Sequence, residues 1–293
     1  MKAAVLGLGG IGGMLVARTG ALGIGTEGSV AAIRAGGLTL VHGGETTVSH
    51  PEVATRLDRP VGVLVVAIKA YALADALDRI DPGALDDVVV LPLLNGLEHV
   101  AILRETLGPR AAVAAGSIGR VEAFSPDPGV VVQRPGGRAL VTAAAEALGR
   151  DLLATRLEPL AAPGIELAVL DDERLVLWEK AARLAVLTAA AIASGRPVGE
   201  LRTHPEWEPR VRAALGEACV VAEADGVELD PAAQWEIVEG LPESLVPSAA
   251  RDAAVGRPTE LDAITGSVVR AARRLGIWTP MLDGLLVDAG RHA

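Results

Sequence analysis

Cysteine is nearly missing from this chain. Cys219 is the only one in 293 residues, so no disulfide can form within the molecule and no multi-cysteine metal site can be built. That usage fits a reducing compartment, and the chain is expected to be cytoplasmic. Net positive charge is missing too: 27 basic against 37 acidic side chains leave a formal charge of −10. Binding along a nucleic-acid backbone needs clustered cations, so no nucleic-acid partner is expected. Long apolar runs are scarce. The cleanest, residues 61–68, falls far short of the roughly 20 residues that span a bilayer. Met1-Lys2-Ala3-Ala4-Val5-Leu6-Gly7 brings in glycine where a signal peptide would keep its apolar centre, so neither a membrane nor a secretory segment is expected. The five histidines show no ligand spacing, and no metal is expected.

Half of the residues are apolar, and the length suits two domains with a sizeable core. Runs 3–6, 61–68 and 88–94 are rich in β-branched residues or Leu and show no polar alternation. That is the pattern of strands buried on both faces of a parallel sheet. Runs 111–115, 129–133, 139–142 and 165–170 are expected to extend or edge the same sheet. From Asp171 onward the periodicity turns helical. Asp171 and Asp172 can cap a long helix that Ser194-Gly195-Arg196-Pro197 stops. A second helix is expected over 209–225, ended by Gly226. A third begins at Thr259, where Thr259-x-x-Asp262 resembles a capping box. Leu261, Ile264, Val268, Ala272 and Leu275 keep helical spacing before Gly276 and Pro280 end it. The expected architecture is α/β, with a doubly wound sheet over residues 1–168 and an all-helical domain over residues 169–293.

Gly7-Leu8-Gly9-Gly10-Ile11-Gly12 fits G-x-G-x-x-G directly behind a predicted strand and before a predicted helix. In such a turn the first glycine permits the bend and the second admits a pyrophosphate to the backbone. The third lets helix and strand pack closely, with the anion at the helix N-terminus. A tight turn without a ligand is the plainer alternative. The next segment fits a βαβ unit poorly, because four glycines between Gly20 and Gly28 weaken any strand. Glu27 lies twenty residues after Gly7, the spacing of an acid that bonds a ribose 2′-hydroxyl. No Arg or Lys stands between Arg18 and Arg34 to meet a 2′-phosphate, so spacing leans to NAD. A flexible loop with a solvated Glu27 remains the other reading.

Val176, Lys180, Leu184, Leu187 and Ala191 recur at intervals of three and four, which sets Lys180 on an apolar stripe. Desolvation there would favour the neutral amine and make Lys180 a proton-transfer group. A lysine snorkelling to solvent fits the same pattern. Glu260, beside Thr259, is either a functional acid or one favoured at a helix start. Asn95-Gly96 follows a predicted strand, where an amide could orient a ligand or simply make a turn. Lys69 ends another such strand and faces either a cofactor phosphate or water.

Together these positions resemble the ketopantoate reductase family over nearly the whole chain. The likeness runs through Gly7-x-Gly9-x-x-Gly12, Val66-Ala67-Ile68-Lys69-Ala70 and Leu94-Asn95-Gly96-Leu97. It continues with Leu177-Trp178-Glu179-Lys180, Gly199-Glu200-Leu201-Arg202, Thr259-Glu260-Leu261-Asp262 and Ala271-x-x-x-x-Gly276-Ile277-x-x-Pro280. The resemblance implies an N-terminal Rossmann domain, a helical C-terminal domain and an active site between them, where NADPH reduces a 2-oxo acid. It implies that Lys180 donates a proton to the nascent alkoxide, with Glu260 as the second catalytic residue. Asn95 would touch both ligands, Ser248 would lie near the substrate carboxylate, and Lys69 would contact the cofactor held by Gly7, Leu8, Gly9, Gly10, Ile11 and Gly12.

The chain also departs from the family. Where the family holds substrate with asparagines one and two turns after the lysine, this chain has Leu184 and Thr188. Val198 replaces a third. Each lost donor would cost about 1–3 kcal/mol if ketopantoate were bound, so a more apolar small-molecule substrate is expected, with Thr188 still lining its site. The 20–28 stretch is shorter than the family's and lacks its basic residue. The cofactor is therefore expected to be NADP, with NAD as the alternative, or none if that segment abolishes binding. The leading expectation is a nicotinamide-dependent reductase of a 2-oxo acid or related carbonyl compound. A non-redox cyclase, isomerase or lyase using Lys180 and Glu260 is the alternative, and a silent dinucleotide sensor the third. The apolar helical half suggests a homodimer.

Overall fold

The computed structural model describes residues 2–134 and 138–293. They divide into two compact units, one of residues 1–94 with 99–176, the other of residues 95–98 with 177–293. The first unit holds the strands β1 (Ala3–Leu6), β2 (Leu22–Ile24), β3 (Leu38–His42), β4 (Glu45–Ser49), β5 (Val53–Ala54), β6 (Val63–Val66), β7 (Val88–Pro92), β8 (Ala111–Val113), β9 (Gly116–Gly119), β10 (Ala123–Phe124), β11 (Val130–Gln133), β12 (Ala139–Ala144) and β13 (Ile165–Leu170). Its helices are α1 (Gly10–Thr19), α2 (Glu27–Gly36), α3 (Leu73–Leu77), α4 (His99–Leu107) and α5 (Arg150–Leu157).

Six strands form an all-parallel sheet in the order β5-β2-β1-β6-β7-β8. Read without the β3–β4 hairpin, this is the 3-2-1-4-5-6 order of dinucleotide-binding α/β folds. Strands β1, β6 and β7 are buried along their whole length, as their unbroken apolar runs require.

Three expectations need correction. First, only run 111–115 joins the main sheet, as β8. Run 129–133 gives β11 in a second sheet, β10-β11-β3-β4, while 139–142 and 165–170 give β12 and β13 in a third, β13-β12-β9. The hairpin after α2 supplies β11 with a parallel partner in β3, which the local pattern could not reveal. Second, the glycine-rich 20–28 stretch is a strand and a capped helix rather than a loop. β2 is wholly buried between β1 and β5, and Thr26 accepts a hydrogen bond from the Ser29 N–H to open α2. Its glycines make room for Leu8: a Cβ at Gly23 or Gly25 would come within 2.8 or 2.6 Å of the Leu8 side chain. Burying that leucine offsets the strand propensity the glycines give up.

The remaining helices are α6 (Glu173–Ser194), α7 (Val198–Leu201), α8 (Trp207–Ala224), α9 (Pro231–Glu239), α10 (Ser248–Ala254), α11 (Ser267–Leu275) and α12 (Pro280–Gly290). Asp172 caps α6 as expected, accepting from the N–H groups of Arg174 and Leu175 at 2.8 and 3.2 Å, whereas Asp171 pairs with Arg150. In the second unit, buried Trp178 of α6 donates its indole N–H to Asp225 at the end of α8. Glu217 of α8 accepts from the first-turn N–H groups of Met281 and Leu282 in α12.

The third correction concerns the helix expected from Thr259. It opens with a π turn, Asp262–Gly266, before α11 begins. No capping box forms: Thr259 accepts a long bond from the Leu261 N–H, and Asp262 turns its carboxylate to Arg270. Among the described residues no helix is long and apolar enough to cross a membrane.

Candidate active site

In the first unit the glycine turn sits at the carboxyl end of β1. Gly7 has φ +104°, closed to other residues without strain, and its N–H donates to the Ile24 carbonyl at 2.8 Å. A Cβ on Gly12 would overlap the Gly7 carbonyl oxygen, so α1 can approach β1 only with hydrogen there. At Gly9, the N-cap of α1, a Cβ would have nothing within 4 Å. That opening leaves the first-turn N–H groups of α1, which have no intrahelical acceptors, available to an anion. These are the features a bound pyrophosphate needs. Lys69, half-buried, stands immediately before the short 3₁₀ turn of residues 70–72 beyond β6.

The carboxyl end of β2 carries a group that local sequence did not reveal. Glu27 is exposed in the first turn of α2. Beside it in the chain, the Gly25 carbonyl accepts a hydrogen bond at 3.3 Å from Nη1 of Arg79, which lies 54 residues downstream.

In the second unit Lys180 of α6 donates from Nζ to Oδ1 of Asn95 at 2.9 Å. Burial pulls its ammonium from the ordinary 10.5 down to about 8; the Glu260 carboxylate opposes that shift and Arg183 adds to it. Glu260 is only 3% exposed, so it is no ordinary surface acid at a helix start. Leu184, one turn beyond Lys180, is partly exposed, and Val198 is buried. Thr188, a further turn on, is fully buried, and its hydroxyl has no hydrogen-bond partner among the described residues. Ser248 is the first residue of α10 and is half-buried.

Asn95 follows β7 in sequence yet packs with the helical unit, and several attachments hold its segment there. Gly96 has φ +94°, and a Cβ on it would overlap the Ala263 carbonyl of the π turn. The Leu97 N–H donates to the Ser267 hydroxyl at 3.3 Å. Arg270 binds both oxygens of Glu98 at 2.8 Å and Asp262 at 2.7 Å. The π turn is tied in its turn to α6, since the Thr265 hydroxyl donates to the Ala185 carbonyl at 2.7 Å. The sequence reading missed Ser267, Arg270 and Thr265. The five-residue advance of the π turn, invisible to a 3.6-residue periodicity, is what brings them into line.

A six-stranded dinucleotide fold with an open glycine turn, and a partly buried lysine held by an amide, define a nicotinamide-dependent oxidoreductase. Comparison with known proteins makes the class specific. The model of the family described as "Ketopantoate reductase PanE/ApbA" matches residues 3–146, and that of its C-terminal domain matches residues 172–288. The chain belongs to the ketopantoate reductase family. A 2-dehydropantoate 2-reductase of Halobacterium salinarum is 29% identical over 262 residues, covering 86% of this chain and 84% of its own. The crystal structure of a PanE/ApbA family ketopantoate reductase from Ralstonia eutropha JMP134 is 26% identical, with a TM-score of 0.84 over 99% of this chain and 98% of that one. A D-mandelate dehydrogenase solved with NADH and anilino(oxo)acetate shares the fold at 23% identity and TM-score 0.85, covering 100% of this chain and 98% of that one.

Proposed function

We propose that this oxidoreductase reduces the ketone of a 2-oxo acid, with NADPH as its preferred reductant and Lys180 as the proton donor. Residues 1–168 would hold the dinucleotide and residues 169–293 the acid. The observation that carries the reading is the Lys180 ammonium, fixed by Asn95 at 2.9 Å and drawn down to about 8 by burial. When bound, the reduced nicotinamide supplies the hydride that the carbonyl carbon accepts. Lys180 holds a proton at Nζ and releases it to the carbonyl oxygen as negative charge develops there. An amine titrating near 8 gives up that proton more readily than an ordinary lysine while remaining largely charged at neutral pH. Asn95 aims one N–H of the amine, and buried Glu260 keeps enough negative charge near it to preserve the ammonium.

Gly7, Leu8, Gly9, Gly10, Ile11 and Gly12 would cradle the pyrophosphate, with Lys69 and Asn95 as further cofactor contacts. Ser248 would hold the substrate carboxylate, and Thr188 would line the same site. Leu184 and Val198 offer no hydrogen bond, so the substrate is an acid with an apolar side group, in line with the D-mandelate dehydrogenase solved with anilino(oxo)acetate. The non-redox alternative drew on the shortened adenosine side and on the altered pocket at Leu184, Thr188 and Val198; β2 with its capped helix weakens the first motive and leaves the second. Exposed Val220, Trp278 and Val287 on the helical unit support a homodimer, which sedimentation would test.

The decisive experiment follows NADPH absorbance with purified protein and a panel of branched, aromatic and hydroxylated 2-oxo acids. We expect turnover with an apolar member and at least a hundredfold loss in Lys180→Met. No oxidation with any member, or full turnover in the variant, would refute the proposal.

A further inference from the structure

We infer that Arg79 is the cation for the phosphate on the adenosine ribose, and that it gives this chain a preference for NADPH over NADH. The inference rests on the reading that the glycine turn holds a nicotinamide dinucleotide. In this fold the adenosine ribose lies at the carboxyl end of the second strand of the parallel sheet. Here that strand is β2, and Gly25 is the first residue past it. A 2′-phosphate there requires a cation, and residues 19–33 contain no Arg or Lys. The tertiary structure brings one in from the turn after α3: Nη1 of Arg79 reaches the Gly25 carbonyl.

Two further observations make this more than proximity. The turn that carries Arg79 is stitched to the segment beyond β5, the neighbour of β2. The Leu57 N–H donates to the Arg79 carbonyl at 2.8 Å, and the Asp81 N–H donates to Leu57 at 2.9 Å. Arg56 clamps the same turn through the Asp78 carbonyl and the Asp81 carboxylate. Half-buried Arg79 is therefore held in place and need not be ordered by a ligand. Its guanidinium has five N–H donors, yet among the described residues the bond to Gly25 is its one hydrogen bond, and no carboxylate pairs with it. Nearby arginines are engaged: Arg56 with Asp81 and Arg59 with Glu52. The first turn of α2, with Gly28 open to solvent, adds N–H groups that favour an anion at the same end. Glu27 is the opposing group, suited to a bare 2′-hydroxyl, so the two side chains set a preference between them.

The test measures binding without substrate, by titrating wild type, Arg79→Gln and Arg79→Lys with NADPH and with NADH and following cofactor fluorescence. Glutamine removes the charge and keeps a polar side chain, while the backbone bonds of Leu57 with Arg79 and Asp81 hold the turn, so the fold around β2 is kept. We expect NADPH to bind Arg79→Gln about 10–100-fold more weakly, NADH affinity to change less than about threefold, and Arg79→Lys to keep most of the preference. Added salt should erode the preference of the wild type and leave Arg79→Gln unmoved. An unchanged NADPH-to-NADH ratio in Arg79→Gln, or equal weakening of both, overturns the assignment of Arg79 while leaving dinucleotide binding intact. Failure of the wild type to bind either nucleotide removes the underlying reading, and this inference with it.

Discussion

If Lys180 is a desolvated amine, its titration must appear in stability as well as in rate. In the folded protein it loses its proton near pH 8, in the unfolded chain near 10.5. Between those values the unfolded chain binds more protons, so folding stability rises with pH there. Below pH 8 both states are protonated and the full cost of the buried charge is present; above 10.5 it is gone. A depression of that size corresponds to roughly 3 kcal/mol, an upper bound because the side chain is not wholly sealed from solvent. Lys180→Met removes the titrating group and keeps the stem. Urea denaturation at a series of pH values should show the wild type gaining up to about 3 kcal/mol on the variant as pH rises from 8 to 10.5. The rate should mirror this: kcat/KM for reduction falls above pH 8 as the ammonium is lost, and the variant shows no such inflection. Stability curves that stay parallel, together with a flat kcat/KM through pH 8, would refute a desolvated proton donor.

The glycine turn gives a paired prediction. Gly12→Ala forces a methyl into the Gly7 carbonyl and should cost more than about 2 kcal/mol in denaturant stability. Gly9→Ala meets nothing within 4 Å, so it should stay within about 1 kcal/mol of wild type yet weaken dinucleotide binding in a fluorescence titration. Thr188→Val replaces a buried, unpartnered hydroxyl with a methyl of similar size and should stabilise the fold by about 1 kcal/mol; a lowered melting point would show that the hydroxyl is engaged. Arg270→Gln breaks the bridge between Glu98 and Asp262. These pairs are partly exposed, so the expected stability loss is about 1 kcal/mol. Because Asn95 is then held less firmly, kcat should fall more than KM rises.

The parallel sheet was legible because its strands are buried on both faces and therefore read as unbroken apolar runs, as in Val63–Val66 and Val88–Pro92. The second and third sheets were not, since β4 and β13 show neither a buried run nor a clean alternation, and the strands find their partners through long-range pairings such as β11 with β3. β2 was misjudged for a related reason. Strand propensity prices each glycine alone, whereas Gly23 and Gly25 are spaces for a leucine fifteen and seventeen residues earlier in the chain. Local scales cannot register a cavity filled from elsewhere.

The same logic separates the parts of the site that sequence revealed from those it hid. Lys180 was visible because its helix repeats every three or four residues, and a charge on an apolar stripe breaks the pattern. Yet its stripe was equally consistent with a snorkelling lysine. What distinguishes the two is the approach of Asn95 and Glu260, which lie 85 and 80 residues away in the chain. Arg79 was hidden for the converse reason: an arginine in a polar turn is unremarkable until the turn is seen stitched beside β2. A search confined to the twenty or so residues after the glycine turn finds only Glu27 and leans to NAD. On the proposed assignment of Arg79, the ribose site would be assembled from three segments, the end of β2, the start of α2 and the turn after α3. Its charge would then follow from the pairing of β5 with β2, and a cofactor preference inferred from the motif alone would read one wall of three.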